Sequence, residues 1–326
     1  MSKASPARRL LLPLVPLYRL GLALRTWRAG GQEKVRRLNC PVISIGNLST
    51  GGAGKTPLTI ALAKALTARG LHVDVLSRGY GRSNSDVALS VDGGGSAERF
   101  GDEPLLISRE AGVPVYVAPE RYAAGVLAEE RDGTAVHLLD DGFQHRQLHR
   151  DVNLLLLNRQ DWHDRLLPAG NLREPLSALR RADAILIPAE EPELESMLRA
   201  RSFTGPVWQL RRRMDSPAAH GPVVAFCGIA RPGQFFAGLE AAGLQVASRV
   251  AFRDHHRYIQ HDIDCLRDAA QSVNAAAFVT TEKDRVRLGA LEQNLIAGAP
   301  LHTATLQVEI ANQPAVLDWL LARILK

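Results

Sequence analysis

The chain has 326 residues, enough for one large domain or two ordinary ones, and 46% of them are hydrophobic, which excludes a disordered chain. Only 5% are aromatic, which argues against a base-stacking nucleic-acid surface, and three scattered cysteines (Cys40, Cys227, Cys265) build neither a disulfide framework nor a zinc spacing, so a reducing compartment is expected. The formal net charge of +6 favours anionic partners, and it is concentrated: residues 1–37 carry nine Lys and Arg, from Lys3 to Arg37, against the single acid Glu33.

The first element is the apolar run LLLPLVPLYRLGLAL at residues 10–24. Pro13, Pro16 and Arg19 interrupt it and no small-x-small cleavage site follows, so it does not read as a signal peptide; it is also too short and too broken to span a bilayer. Two readings stand. It lies in a headgroup layer, with Arg8, Arg9, Arg25 and Arg28 on anionic lipid and its leucines in the acyl boundary, or it is a first helix packed on the protein's own core.

After residue 40 short apolar runs alternate with helical stretches. Strands are predicted at Val42–Ile45, His72–Leu76, Val115–Val117, Ala135–Leu139, Val152–Leu157 and Ala184–Ile187, with helices beginning near Lys55, Glu103 and Arg121. Such a pattern implies an α/β fold with a parallel sheet sandwiched by helices. A smaller α/β set follows, with strands Val223–Cys227, Val246–Ala251 and Ala277–Thr280 and helices near 232–242 and 261–272. Val207–Arg212 and His302–Glu309 are expected to pair as a two-stranded ribbon joining the two. The expected organisation is a membrane-associating segment at 1–38, a P-loop domain at 39–213, a smaller α/β domain at 214–310 and a terminal amphipathic helix at 311–326.

The strongest signal is PVISIGNLSTGGAGKTPLTIALAKAL, residues 41–66. A buried strand runs into Ser49, Thr50, Gly51, Gly52, Ala53 and Gly54, and Lys55 and Thr56 open a helix. Glycines let backbone N–H groups curve around phosphate oxygens, and the helix N-terminus adds its positive end. Lys55 can reach the β- and γ-phosphates of ATP and Thr56 can hold Mg²⁺. Ser49 departs from the G-x-x-x-x-G-K-[ST] pattern, since it stands where the first glycine is expected. Further on, the run Val136–Leu139 ends in Asp140 and Asp141, placing two carboxylates where a parallel strand delivers residues to the ligand edge of a sheet.

Other polar clusters read less sharply one by one: SRGYGR (77–82), with Arg78 and Arg82; GDEP (101–104), with Asp102 at a helix start; PAGNLREP (168–175); FRDHHRY (252–258); and TTEKD (280–284). Asp254, His255 and His256 are adjacent and therefore a poor ligand set for a metal.

Taken together and in order, LLPLVPLYRL, GNLSTGGAGKTP, SRGYGR, GDEP, DDGFQH, PAGNLREP, FRDHHRY and TTEKD resemble the tetraacyldisaccharide 4′-kinase (lipid A 4′-kinase) family along nearly the whole chain. The resemblance implies ATP- and Mg²⁺-dependent phosphorylation of the 4′-hydroxyl of an acylated glucosamine disaccharide 1-phosphate, giving lipid IVA. It further implies peripheral attachment to the cytoplasmic face of an anionic inner membrane, and we expect a monomer with no nucleic-acid partner. It assigns catalysis to Asp102, supported by His255 (with His256 as the alternative) and by Lys55. Asp140, Asp141 and Glu174 join Thr56 near the metal. Asn47, Arg78, Arg82, Arg121, Gln144, His145 and Arg173 become candidate substrate contacts. Two other classes stay in view: a membrane-associated P-loop ATPase switch, which lacks support because Ser49 and Thr50 stand where its extra lysine belongs, and a soluble P-loop kinase for a small metabolite.

Overall fold

The computed structural model describes residues 8, 10–31, 35–52, 54–83, 87–131, 133–217 and 219–325, with the backbone alone for 25–31. The apolar runs form strands: β1 (Val42–Asn47), β2 (Val73–Ser77), β3 (Leu89–Ser90), β4 (Val115–Val117), β5 (Val136–Asp140), β6 (Val152–Leu156), β7 (Ala184–Pro188), β8 (Val207–Asp215), β9 (Pro222–Cys227), β10 (Gln245–Ala251), β11 (Ala277–Thr281) and β12 (Leu301–Ile310). They join one sheet in the order β10-β9-β11-β12-β8-β7-β6-β1-β5-β2-β4-β3. Strands β1, β2, β4 and β5 are buried along their whole length, as a sheet covered on both faces requires.

The sheet has two halves, and the ribbon joins them. β8 runs parallel to β7 from Val207 to Leu210, then continues antiparallel to β12, with Leu210 opposite Ile310 and Asp215 opposite Thr305. The first residues of β12, Leu301–Ala304, pair in parallel with β11 of the smaller half. One face of the larger half packs Ile43, Leu62 and Val75 against Leu317 and Leu320 of the terminal helix Gln313–Ile324, so that helix belongs to the larger half's core. In the smaller half, Val223 and Ala225 face Phe235 and Leu239, while Val224 and Phe226 face Ile263 and Leu266. Burying each such side chain contributes about 1.5–3 kcal/mol relative to exposure.

The N-terminal helix Val15–Gly31 follows a short turn at Leu12–Leu14. Leu11, Val15, Tyr18 and Leu22 are half-buried at helical spacing, and Val15 and Tyr18 pack on the larger half. Leu10, Leu12, Leu14, Leu17, Leu20 and Leu24 remain exposed, Leu10 by 80% and Leu17 by 67%. One face of the element thus packs on the protein's own core, and the other carries exposed leucines. Among the described residues, no helix is long and apolar enough to cross a membrane.

Candidate active site

β1 ends at Asn47, and the loop returns to the helix Lys55–Ala68 through Gly51 (φ 84°) and Gly54 (φ 86°), left-handed conformations that glycine adopts without strain. Gly54 caps the helix and no side chain bonds its first amides, which leaves them for an anion. Ala53 lies outside the described residues. Ser49 is buried, and its hydroxyl accepts a hydrogen bond from the Asn47 amide at 3.1 Å. A serine in the first glycine's place therefore ties the loop to the strand end. The Thr50 amide donates to the Asn171 carbonyl (2.8 Å) and the Arg173 amide to the Leu48 carbonyl (2.7 Å), so the 168–175 segment braces the loop from outside.

Lys55 reaches back over the loop, donating to Asn47 Oδ1 at 3.0 Å with Asp141 Oδ1 at 3.4 Å. Thr59, one helical turn on, donates to Asp140 Oδ1 at 3.1 Å. Asp141 takes a left-handed φ of 49°, which turns it toward Arg173, whose Nη1 donates to Asp141 Oδ2 at 2.9 Å. Burial first, and then the charges of Glu103 and Asp141, push Asp140 up to about 7. Burial works the same way on Asp141, but Lys55 and Arg173 outweigh it and hold that carboxyl below its ordinary range. Asp141 Oδ1 is buried and faces the Lys55 ammonium at the long distance of 3.4 Å, and Thr56, which lines the same cleft, is buried. Two adjacent carboxylates, the first of them pushed up by burial and neighbouring negative charge, and a hydroxyl lining the same cleft fit a hard divalent cation such as Mg²⁺.

The remaining predicted residues divide. Arg78, Arg121, Gln144, His145 and Arg173 line the same cleft, an open volume of about 2470 Å³. Gln144 donates to the Asn47 carbonyl at 2.9 Å. Arg121 is buried and donates to the Pro119 carbonyl (2.9 Å); burial first, then Arg78, lowers it to about 10. Arg82 does not line the cleft: it is buried, and its guanidinium holds the carbonyl of Val87 at 2.9 Å. Glu174 lines the cleft, and its Oε2 receives Arg146 (3.1 Å) and Arg181 (2.6 Å), so its charge is matched by guanidiniums.

Asp102 opens the helix Asp102–Ala111 behind Gly101, and its Oδ1 accepts from the Glu103 amide at 2.9 Å. From the smaller half, His255 Nδ1 lies 3.1 Å from Asp102 Oδ2. His255 has φ 58°, and its ring sits 5.5 Å from that of Tyr80. His256 turns the other way, bonding Asp262 at 2.8 Å and stacking on Phe252, so of the two histidines His255 faces the cleft. The short helix Glu282–Leu288 brings two residues that sequence reading left unassigned: Arg287, whose Nε donates to Asp102 Oδ2 at 2.8 Å, and Lys283, paired with Glu103. Their spacing of four residues puts them on one helix face, a signal present in the sequence once TTEKD is read as a helix start. Arg231, beside Gly52, and Arg212, beside Gly54, also come from outside the phosphate loop's own segment.

A model of the protein family described as Tetraacyldisaccharide-1-P 4′-kinase matches residues 7–325. The chain belongs to this family. The Tetraacyldisaccharide 4′-kinase of Koribacter versatilis is 41% identical over 317 residues, covering 94% of this chain and 96% of that protein. That of Aquifex aeolicus is 38% identical over 303 residues, covering 87% and 91%. A crystal structure of LpxK from Aquifex aeolicus, described as an "apo" form in complex with ATP, superposes with a TM-score of 0.77 at 33% identity, covering 98% of this chain and 99% of that one. A tetraacyldisaccharide-1-P 4′-kinase has to bring a nucleotide and an acylated sugar phosphate together. The phosphate loop lines the cleft, and the N-terminal helix supplies Tyr18, Arg19, Leu22 and Leu24 to its wall. Tyr18 donates to the Arg173 carbonyl at 3.0 Å, which couples that helix to the segment bracing the loop.

Proposed function

We propose that this kinase transfers the γ-phosphoryl group of ATP to the 4′-hydroxyl of an acylated glucosamine disaccharide 1-phosphate, giving lipid IVA, while docked on the cytoplasmic face of the inner membrane. One observation carries the reading: the phosphate loop, His255, which pairs with the buried Asp102, and the leucine-bearing N-terminal helix border one cleft. Residues 39–213 act as the nucleotide lobe and 214–310 as a smaller lobe on the ribbon. The terminal helix 311–326 packs with the first lobe, and 1–38 meets the membrane. The exposed leucines insert into the acyl boundary and the basic residues around them meet anionic headgroups.

The loop amides and Lys55 hold the β- and γ-phosphates. Thr56, Asp140 and Asp141 are the residues that hold Mg²⁺, which when bound neutralises charge on the transferring group. Arg78, Arg121 and Arg173 line the path for the sugar and its phosphate, with Asn47, Gln144 and His145 supplying polar contacts. Asp102 orients the attacking hydroxyl and accepts its proton late, since bond formation to phosphorus lags in a loose transition state. His255 holds the carboxylate rotamer through Nδ1.

The test is transfer of ³²P from labelled ATP to the acylated disaccharide 1-phosphate in anionic vesicles, with soluble glucosamine as control acceptor. Product on the lipid alone is expected. Equal labelling of soluble glucosamine would favour a small-metabolite kinase, and ATP turnover independent of any acceptor a P-loop switch.

A further inference from the structure

We infer that Arg287 is a positioning residue for phosphoryl transfer: a guanidinium supplied by the smaller half that fixes the Asp102 carboxylate when the two halves are packed together. The inference rests on the reading of Asp102 as the group that meets the acceptor hydroxyl.

The geometry is specific. Arg287 Nε and Nη2 both donate to Asp102 Oδ2, with Nε at 2.8 Å, and the two side chains are only 6% and 7% exposed. In the tautomer that carries its proton on Nδ1, His255 donates to the same oxygen. Oδ2 is thereby filled. Oδ1 accepts only the Glu103 amide among the described partners, and keeps a lone pair for the hydroxyl. Arg287 therefore selects which carboxylate oxygen faces substrate.

Arg287 is itself held rigidly. Its Nη1 donates to the Gly228 carbonyl (2.6 Å) and to Asp284 Oδ1 (3.0 Å). Asp284 is fully buried and receives the Gly228 amide (3.0 Å), the Tyr258 hydroxyl (3.0 Å) and the Thr281 hydroxyl (2.6 Å). That carboxylate gathers the ends of β9 and β11 and the turn after His255, so Arg287 and His255 move as one body. Docking alone already has a device, the Lys283–Glu103 pair, one turn before Arg287 on its helix and one residue after Asp102 on the other. Arg287 differs from Lys283 in touching the group that meets the substrate.

Charge gives the second handle. Burial alone would raise Asp102, but the His255 hydrogen bond and the Arg287 and Lys283 charges overcome it and hold the carboxyl well below its ordinary range. Around it, the Asp102 charge raises Glu103, Asp254 joins Asp102 in raising His255, and Asp284 joins Asp102 in raising Arg287. Removing the guanidinium takes away a cation, so the Asp102 pKa must rise.

The experiment compares kcat, KM for ATP, ATP affinity and the pH profile of kcat/KM from pH 4 to 9 in Arg287→Ala, Arg287→Lys, Lys283→Ala, Asp102→Asn and the exposed control Arg285→Ala. Arg287→Ala is expected to lose ~10²-fold in kcat with ATP affinity retained, and its acid limb should move up toward the carboxylate range. Guanidinium added to the medium should restore part of the rate. Arg287→Lys keeps a charge beside Asp284, folds, and should recover less than about a tenth of the activity, because an ammonium cannot make the two-pronged contact. Equal losses in Arg287→Ala and Lys283→Ala, with no movement of the acid limb, would make Arg287 a docking contact and overturn the inference. So would full activity in Arg287→Lys. If Asp102→Asn keeps wild-type kcat, the reading of Asp102 is what fails. If Asp102→Asn is inactive while Arg287→Ala keeps its rate and profile, the reading of Asp102 stands and this inference falls.

Discussion

The molecule contains two carboxylate–imidazole pairs of the same composition at opposite ends of one sheet. At the end where strands β1, β2 and β5 begin, His137 Nδ1 meets Asp74 at 2.7 Å and Nε2 meets Glu129 at 3.4 Å, and the ring is fully buried. At the ligand end, His255 meets Asp102 across the two halves and is 39% exposed. Both nitrogens of His137 are spent, Thr134 donates to Asp74 Oδ2 at 2.7 Å, and the Cys40 amide donates to Glu129 at 2.7 Å. Cys40, Glu129 and His137 are the one His/Cys/acid group among the described residues close enough to hold a metal. With each ring nitrogen already facing a carboxylate, it reads as an ion-pair clamp between strand ends. His255 lines the open cleft with a backbone turned by φ 58°, and its Nε2 has Asp254 at 4.0 Å. The composition of a pair does not decide its surroundings: the His137 pair is closed within one core, and the His255 pair joins the two halves beside a cleft.

The largest effect should come from breaking the cleft pair. Asp102→Asn keeps the shape of the side chain and removes its charge, and should lose ~10³-fold in kcat with ATP affinity unchanged. His255→Ala should lose ~10-fold, and the double variant should lose no more than Asp102→Asn alone. Steady-state kinetics with equilibrium ATP binding decides it; additive losses would mean that the two groups act separately.

The opposite pair should answer in stability and leave chemistry alone. His137→Ala strands Asp74 and Glu129 in the protein and should cost about 3 kcal/mol, read from urea unfolding, with kcat per folded molecule intact. A catalytic loss without a stability loss would reverse the roles assigned to the two ends.

The smallest effect is pH dependence at that clamp. Burial alone would lower His137, but Asp74 and then Glu129 raise it above its ordinary 6.5. Its contribution is then fully present below 6.5 and fades as pH rises through the raised value. Glu129 is held below its ordinary 4.5 against burial by the Cys40 amide and His137, so its share persists above 4.5 and fades as pH falls through the lowered value. The stability gap between wild type and His137→Ala should narrow from pH 6 to pH 9. A constant gap would show that His137 acts by packing alone.

Most of the sheet was legible because buried parallel strands are continuous apolar runs, and each predicted strand from Val42 to Thr280 has a counterpart within a residue or two. Strand β3, two residues long, carries no periodicity to read. The helix Glu282–Leu288 was passed over because its seven residues are mostly charged and look like loop; Thr281 caps it by accepting the Asp284 amide. Arg82 reads like a phosphate ligand in SRGYGR, and in the fold it is buried with its guanidinium donating to the Val87 carbonyl.

The sequence by itself determined what is local: the strand–loop–helix of residues 42–68, the two carboxylates closing β5, the leucines and arginines of the first helix, and the run of motifs that marks the family. Tertiary structure alone decided which partners meet. Asp102 and His255 are 153 positions apart, and Asp102 and Arg287 are 185 apart. Contacts at that separation leave no periodic trace, because they depend on how the ribbon of β8 and β12 sets one half-sheet against the other. The same long-range packing sends His256 into the smaller half's own Phe252 and Asp262, and leaves His255 facing the cleft.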